Sequence, residues 1–206
     1  MPEGLDFVEA ATFSDGHLTS INFLKEIAKI KSGQKVLING AAGSLGTAAV
    51  QLAKYYGAEV TAVCSTRNVG LVKSLGADHV IDYTKKDFTK VKNTYDLVYD
   101  TVGKSTFKKC KNILKDNGLF LSPVLKFSLL LQMMWTSLFG KKKAKFAATG
   151  MSKDQELRIL LMELVEIYKE GKLKSVIDRQ FSLEQLPQAH NYIASGHKKG
   201  NVVILV

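Results

Sequence analysis

The chain has 206 residues, 46% of them hydrophobic and 23% charged, and a net charge of +10. This is a soluble globular profile, long enough for one domain with a substantial core. Its two cysteines, Cys64 and Cys110, are far apart and form no CxxC pair, and Pro2, Glu3 and Asp6 interrupt any apolar leader, which argues against structural zinc and a secretory signal and for a reduced, cytoplasmic setting.

In chain order, Leu18 to Ile30 carries apolar residues at helical spacing, and Ser32-Gly33 ends it. Lys35 to Asn39 is a short apolar strand, Gly40 to Gly46 a glycine-rich turn, and Thr47 to Tyr56 a helix stopped by Gly57. Val60 to Cys64 is a second strand, Asn68 to Leu75 a helix, Val80 to Tyr83 a third strand and Tyr95 to Asp100 a fourth. A helix around Phe107 to Leu114 leads to a fifth strand at Leu119 to Ser122.

Val124 to Phe139 is strongly apolar but shorter than the ~20 residues a bilayer span needs. It reads first as a packed or oligomer-facing helix, and a homo-oligomer is expected. The Lys141-Lys142-Lys143 run that follows keeps open a second reading, an interfacial membrane helix. A sixth strand around Lys145 to Ala148, a long helix from Asp154 to Tyr168, a strand at Ser175 to Phe181, a helix from Leu183 to Ser195 and a strand at Asn201 to Val206 complete the chain.

Apolar strands alternating with helices imply a parallel sheet buried on both faces, with right-handed crossovers. The expected fold is therefore a doubly wound α/β sheet of the Rossmann type, strand order near 3-2-1-4-5-6, with a ligand at the carboxyl ends of the strands. Three segments are expected: a linker helix over 1–33, the dinucleotide-binding domain over 34–172 and a C-terminal segment over 173–206.

The chemistry points to Ala41-Ala42-Gly43-Ser44-Leu45-Gly46, between a strand and a helix. Ala41 stands where the G-x-G-x-x-G fingerprint has its first glycine; Gly43 and Gly46 fill the other two places. Gly43 lets backbone approach a pyrophosphate, Gly46 lets the helix pack closely on the sheet, and the free N–H groups of Ala42 to Gly46 face the anion. An NAD site wants a carboxylate ~20 residues further on, to accept from the ribose 2′-hydroxyl. Here stand Ser65, Thr66, Arg67 and Asn68. Ser65 and Thr66 can donate to a 2′-phosphate and Arg67 can pair with it, so the expected cofactor is NADPH.

The net positive charge is carried mostly by scattered lysines and reads as solvated surface, in part as help for an anionic cofactor. No aromatic-basic RNA motif supports nucleic acid as a partner. Tyr168-Lys169-Glu170-Gly171-Lys172 matches a Y-x-x-x-K spacing, but Gly171 ends the helix that should carry both groups. No histidine cluster has metal-ligand spacing.

The segments Ala41 to Lys54, Leu75 to Tyr83, Asp100 to Gly103 and Gly171 to Val203 resemble the medium-chain dehydrogenase/reductase superfamily, in its zinc-independent, quinone-oxidoreductase-like branch. The resemblance implies that Tyr83 lies beside the adenosine phosphate, that Ser65 and the Arg67-Asn68 pair hold the 2′-phosphate, that Thr101, Val102 and Gly103 line the approach to the nicotinamide ribose, and that Gly43 to Gly46 cradle the pyrophosphate. It also implies an N-terminal GroES-like catalytic domain outside these residues, to which the C-terminal segment returns, leaving strand edges unpaired. The expected activity is hydride transfer from NADPH to a quinone, enone or aldehyde, with no metal. The alternative is a non-catalytic NADPH-binding or redox-sensing module that acts with a partner.

Overall fold

The computed structural model describes residues 4–92 and 94–206, so the part of the N-terminal reading that rests on Pro2 and Glu3 falls outside the described residues. Six strands form one parallel sheet in the order β3-β2-β1-β4-β5-β6: β1 (Lys35–Asn39), β2 (Glu59–Cys64), β3 (His79–Asp82), β4 (Tyr95–Asp100), β5 (Leu114–Ser122) and β6 (Lys143–Phe146). The helices are α1 (Phe7–Thr12), α2 (Leu18–Ile21), α3 (Ser44–Tyr55), α4 (Val69–Ser74), α5 (Phe107–Cys110), α6 (Phe127–Phe139), α7 (Asp154–Lys169) and α8 (Leu186–Ala194).

Val36, Leu37 and Ile38 of β1 are all fully buried, as a strand covered on both faces must be. Val36, Ile38, Val60 and Ala62 pack on one side with Ala49, Leu52 and Ala53 of α3 and Leu164 of α7. Leu37, Val63 and Val98 pack on the other with Phe107, Phe120 and Leu129.

The structure departs from the expected elements in four places. The N-terminal helix starts at Phe7, not Leu18, and runs to Ile27 through π-helical turns at Phe13–His17 and Asn22–Ile27. Asp6 caps it, accepting from the Glu9 N–H at 2.7 Å. Phe13, Ile21, Phe23 and Leu24 of this helix are buried in the same core as the sheet. Second, α5 is a single turn, and β5 begins at Leu114, with an irregular register beside Tyr95 and Leu97. Third, β6 lies at Lys143–Phe146 rather than Lys145 to Ala148. Fourth, the tail strands β7 (Ile177–Ser182) and β8 (Asn201–Leu205) pair with one another in parallel, so each satisfies one edge of the other.

Candidate functional site

β1 and β2 run in register, Val36 opposite Val60, while β4 lies on the other side of β1, Val36 opposite Leu97. The order of strands reverses there, and doubly wound sheets take ligands in the crevice outside the carboxyl ends at such a point. The glycine-rich turn fills its floor. Gly40 and Ala41 donate to the Val63 carbonyl at 3.2 and 3.1 Å, which folds the turn back over β2. Gly43 N–H donates to Gly40 O at 3.0 Å, and α3 starts at the next residue.

The close approach is made at Gly46, where a Cβ would lie 2.1 Å from the Gly40 carbonyl oxygen and 2.7 Å from Ala41 backbone. At Gly43 a Cβ would meet only the Gly40 oxygen, at 3.5 Å. The N–H groups of Ser44, Leu45 and Gly46 belong to the first turn of α3, where no helical carbonyl precedes them. They give the floor a positive edge suited to a phosphate. Ala42 and Ser44 are buried, and Gly43 and Leu45 half-buried.

At the end of β2, Ser65 leads into a 3-10 turn at Thr66–Asn68. Asn68 is buried, its Nδ2 3.3 Å from Ser65 Oγ, and its Oδ1 has no protein partner. An orphaned acceptor of this kind fits a ribose hydroxyl as donor. Arg67 is exposed and its Nη2 donates to the His197 carbonyl at 3.3 Å. Thr66 is already committed: its hydroxyl donates to Asp82 Oδ2 at 2.5 Å. Asp82 also accepts from Thr84 N–H and Oγ1, at 3.0 and 2.7 Å, and Lys85 Nζ lies 3.8 Å away. The hydroxyls of Thr66 and Thr84 hold its carboxyl below the ordinary range. A carboxylate therefore stands at this rim, brought there by the pairing of Cys64 with Asp82 across β2 and β3.

Tyr83 follows β3, 59% exposed, its N–H on the Cys64 carbonyl at 3.1 Å, so its ring stands free at the rim. On the far side, Thr101 donates through Oγ1 to Asn39 O at 2.8 Å, and Val102 lies over the turn, where a Cβ on Gly40 would come within 2.6 Å of it. Gly103 is buried, and its carbonyl accepts from Lys126 Nζ. Of the thirteen residues expected at a dinucleotide site, Ala42 to Gly46 form the turn and the start of α3, Ser65 to Asn68 follow β2, Tyr83 follows β3 and Thr101 to Gly103 follow β4, all at the carboxyl ends of strands; the hydroxyls of Thr66 and Thr101 are turned to protein.

The residues present, with the leading N–H groups of α3 and the unpartnered Asn68 Oδ1, fit a dinucleotide. A model of the zinc-binding dehydrogenase family matches residues 75–204. The chain belongs to the medium-chain dehydrogenase/reductase superfamily, in its quinone-oxidoreductase-like branch. It is 32% identical to a zinc-type alcohol dehydrogenase-like protein of Schizosaccharomyces pombe over 99% of its own length and 61% of that protein's. It is 33% identical to a 2-methylene-furan-3-one reductase of Solanum lycopersicum, over 98% of this chain and 48% of that one. The quinone oxidoreductase of Coxiella burnetii superposes with a TM-score of 0.85 at 30% identity, over 100% of this chain and 62% of the other. The chain therefore spans between about half and three fifths of the length of these superfamily members.

Sequence reasoning missed three parts of the crevice. Asn39 donates to Asp100 Oδ1 at 3.0 Å and Ser105 N–H to Asp100 Oδ2 at 2.8 Å, which locks the ends of β1 and β4 and the turn after them. Asp15 and Gly16 reach the start of α3, with Ser44 Oγ 3.4 Å from Asp15 Oδ2. The largest omission is the C-terminal segment. Gly200 bridges to Gly43 and donates to Ala42 O at 2.8 Å; Ser44 Oγ donates to Asn201 Oδ1 at 2.5 Å. Lys198 is half-buried beside them, donating to Gly200 O at 2.8 Å, and burial pushes its ammonium below the ordinary lysine range. The Gly200-Asn201 pair lay within a segment matched to the superfamily, but nothing in linear spacing ties it to Gly43.

Burial pushes the Cys64 and Cys110 thiols up to about 11, away from the thiolate form at neutral pH. His17 is buried, stacked on Phe13 at 4.9 Å with Nδ1 3.0 Å from Thr12 O, a packed side chain. Among the described residues no group of three or more His, Cys, Asp or Glu is arranged to hold a metal ion.

Proposed function

We propose that this chain holds NADPH along the carboxyl edge of its sheet, as the nucleotide-binding part of an oxidoreductase that reduces a quinone, enone or aldehyde. One observation carries the reading: the first turn of α3, whose leading N–H groups have no helical carbonyl, lies at the strand-order reversal, and the Ser65–Asn68 turn presents Arg67 and no carboxylate of its own. The nearest acidic group, Asp82, already accepts from Thr66 and Thr84 and has Lys85 close by, so its charge is partly answered.

When bound, the dinucleotide supplies the hydride. The part of this chain is binding and orientation. Backbone N–H groups of Ser44 to Gly46 meet the pyrophosphate, Ser65, Arg67 and Asn68 the adenosine ribose and its phosphate, Tyr83 the adenosine side, and Val102 and Gly103 the nicotinamide side. The 2-methylene-furan-3-one reductase and the quinone oxidoreductase among the relatives support an acceptor whose carbonyl is conjugated. A GroES-like domain, in the length that the relatives have beyond this chain, completes the substrate cleft in this proposal.

Titration of the chain with NADPH and NADH, followed by nicotinamide fluorescence, tests the cofactor. NADPH should bind at least ~10-fold tighter, about 1.4 kcal/mol. Arg67→Ala should remove most of that preference while leaving NADH affinity unchanged. Equal affinities in the unaltered chain would falsify the role given to Arg67.

A further inference from the structure

α6 is built the wrong way round for a helix on a globular surface. Its inner side holds the buried Leu129 and Thr136, with Thr136 Oγ1 accepting from the Ala144 N–H of β6 at 3.2 Å. Its outer side presents Phe127, Leu131, Met134, Trp135, Leu138 and Phe139, all exposed, the two last at 76% and 75%. At 3.6 residues per turn these six share one broad face, and the helix carries no charged residue. A continuous exposed apolar face of this size marks an interaction surface.

The charges of its own segment are of one sign. Between Asp116 and Asp154 there is no acidic residue, while Lys126, Lys141, Lys142, Lys143, Lys145 and Lys153 fall in that stretch. Lys143 Nζ donates to the Thr136 and Ser137 carbonyls at the end of the helix, 2.6 and 3.2 Å away. Lys111 Nζ lies 5.7 Å from the centre of the Trp135 ring. Lys141 is exposed, 3.8 Å from Asp116. An apolar face with a tryptophan, rimmed by lysines, has the chemistry of a helix lying in the boundary between lipid headgroups and acyl chains. At 13 residues α6 is about 20 Å long by the rise of a helix, and none of the described helices is long and apolar enough to cross a membrane.

A second copy of this chain is the competing occupant, and charge disfavours it. A two-fold contact sets the same patch against its own copy, so a segment with six lysines and no acidic residue between Asp116 and Asp154 would meet a surface of the same sign, with Asp116 beside Lys141 as the carboxylate at its edge. An anionic surface is opposite in sign to the whole segment. We propose that α6 and the lysines beside its carboxyl end dock this protein on an anionic phospholipid membrane surface. The helix follows β5 directly, and Lys126, one residue before it, bonds to the Gly103 carbonyl, so the docked face adjoins the crevice mouth.

Trp135 is the only tryptophan and sits on the docking face, which makes the test direct. The full chain is mixed with vesicles of phosphatidylglycerol and phosphatidylcholine, or of phosphatidylcholine alone, and followed by tryptophan emission and co-sedimentation. The expected result is a blue shift and sedimentation with the anionic vesicles, at least ~10-fold tighter than with neutral ones and reversed by high salt. Leu138→Glu with Phe139→Glu should abolish both signals, and Lys141→Glu should weaken sedimentation. Circular dichroism and thermal melting should be unchanged, because these side chains are exposed. The proposal is overturned if anionic vesicles leave emission and sedimentation unmoved, or if neutral vesicles bind as tightly. It is also overturned if the blue shift grows with protein concentration without lipid, together with a doubling of mass, which identifies a second copy as the occupant.

Discussion

The corner made by β1, α3 and β2 and the corner made by β5, α6 and β6 are built on the same sheet by opposite means. In the first, Ala48, Ala49, Val50, Leu52 and Ala53 are buried, and Gly46 lets the helix close on the strand with no room for a Cβ. In the second, the helix with the more apolar sequence is the less buried, and the strand it packs on holds two lysines, Lys143 and Lys145, with Lys142 just before it. Hydrophobic content decides that a helix has something to cover; small residues and close backbone decide whether the fold itself covers it. The first corner is complete within this chain, and the second calls for something outside it.

The sharpest way to break this comparison is the same substitution in both corners. Leu52→Ala removes a fully buried side chain and should destabilise the protein by about 3 kcal/mol, within the usual range for a core leucine. Leu138→Ala should change stability by less than about 0.5 kcal/mol. Denaturant melts of the two variants measure the difference, and equal losses would mean that the outer face of α6 is covered in solution.

A smaller effect is expected at Gly46→Ala, whose added methyl must push α3 off the Gly40 carbonyl. The loss should be about 1–3 kcal/mol, a melting point lower by several degrees, with NADPH no longer raising it. An unchanged melt with NADPH still stabilising would show that α3 does not need its close approach.

The smallest effect is a slope with pH. Burial lowers the pKa of His17 below its ordinary 6.5, so the folded chain keeps it neutral while the unfolded chain takes up a proton. Its contribution is fully present above pH 6.5 and is lost as pH falls toward the folded value. The melting point should therefore drop below that pH more steeply in the unaltered chain than in His17→Gln, and parallel slopes would remove His17 from the account.

Much of the crevice was legible because its residues are adjacent in sequence or follow a period. The glycine-rich turn announces itself between an apolar strand and a helix, and the Ser65–Asn68 turn falls where the second strand must end. Other parts gave weaker signals that went unread. Asp6 followed by Glu9 is the spacing of a helix start, and it marks the true beginning of the N-terminal helix at Phe7. The sequence offers Thr66 as a phosphate donor, yet its hydroxyl serves Asp82, because β2 and β3 finish side by side.

The order of strands, the burial of both sheet faces and the glycine-rich turn at the start of α3 followed from the amino-acid sequence by itself, since periodicity and local backbone demands are written in neighbouring residues, and the resemblance of its motifs pointed to the superfamily. Only the tertiary structure placed Gly200 and Asn201 against Gly43 and Ser44, paired β7 with β8, and turned the apolar side of α6 outward. Those outcomes depend on which surfaces meet after the chain has folded back, over 157 residues between Ser44 and Asn201, and no local pattern encodes that meeting.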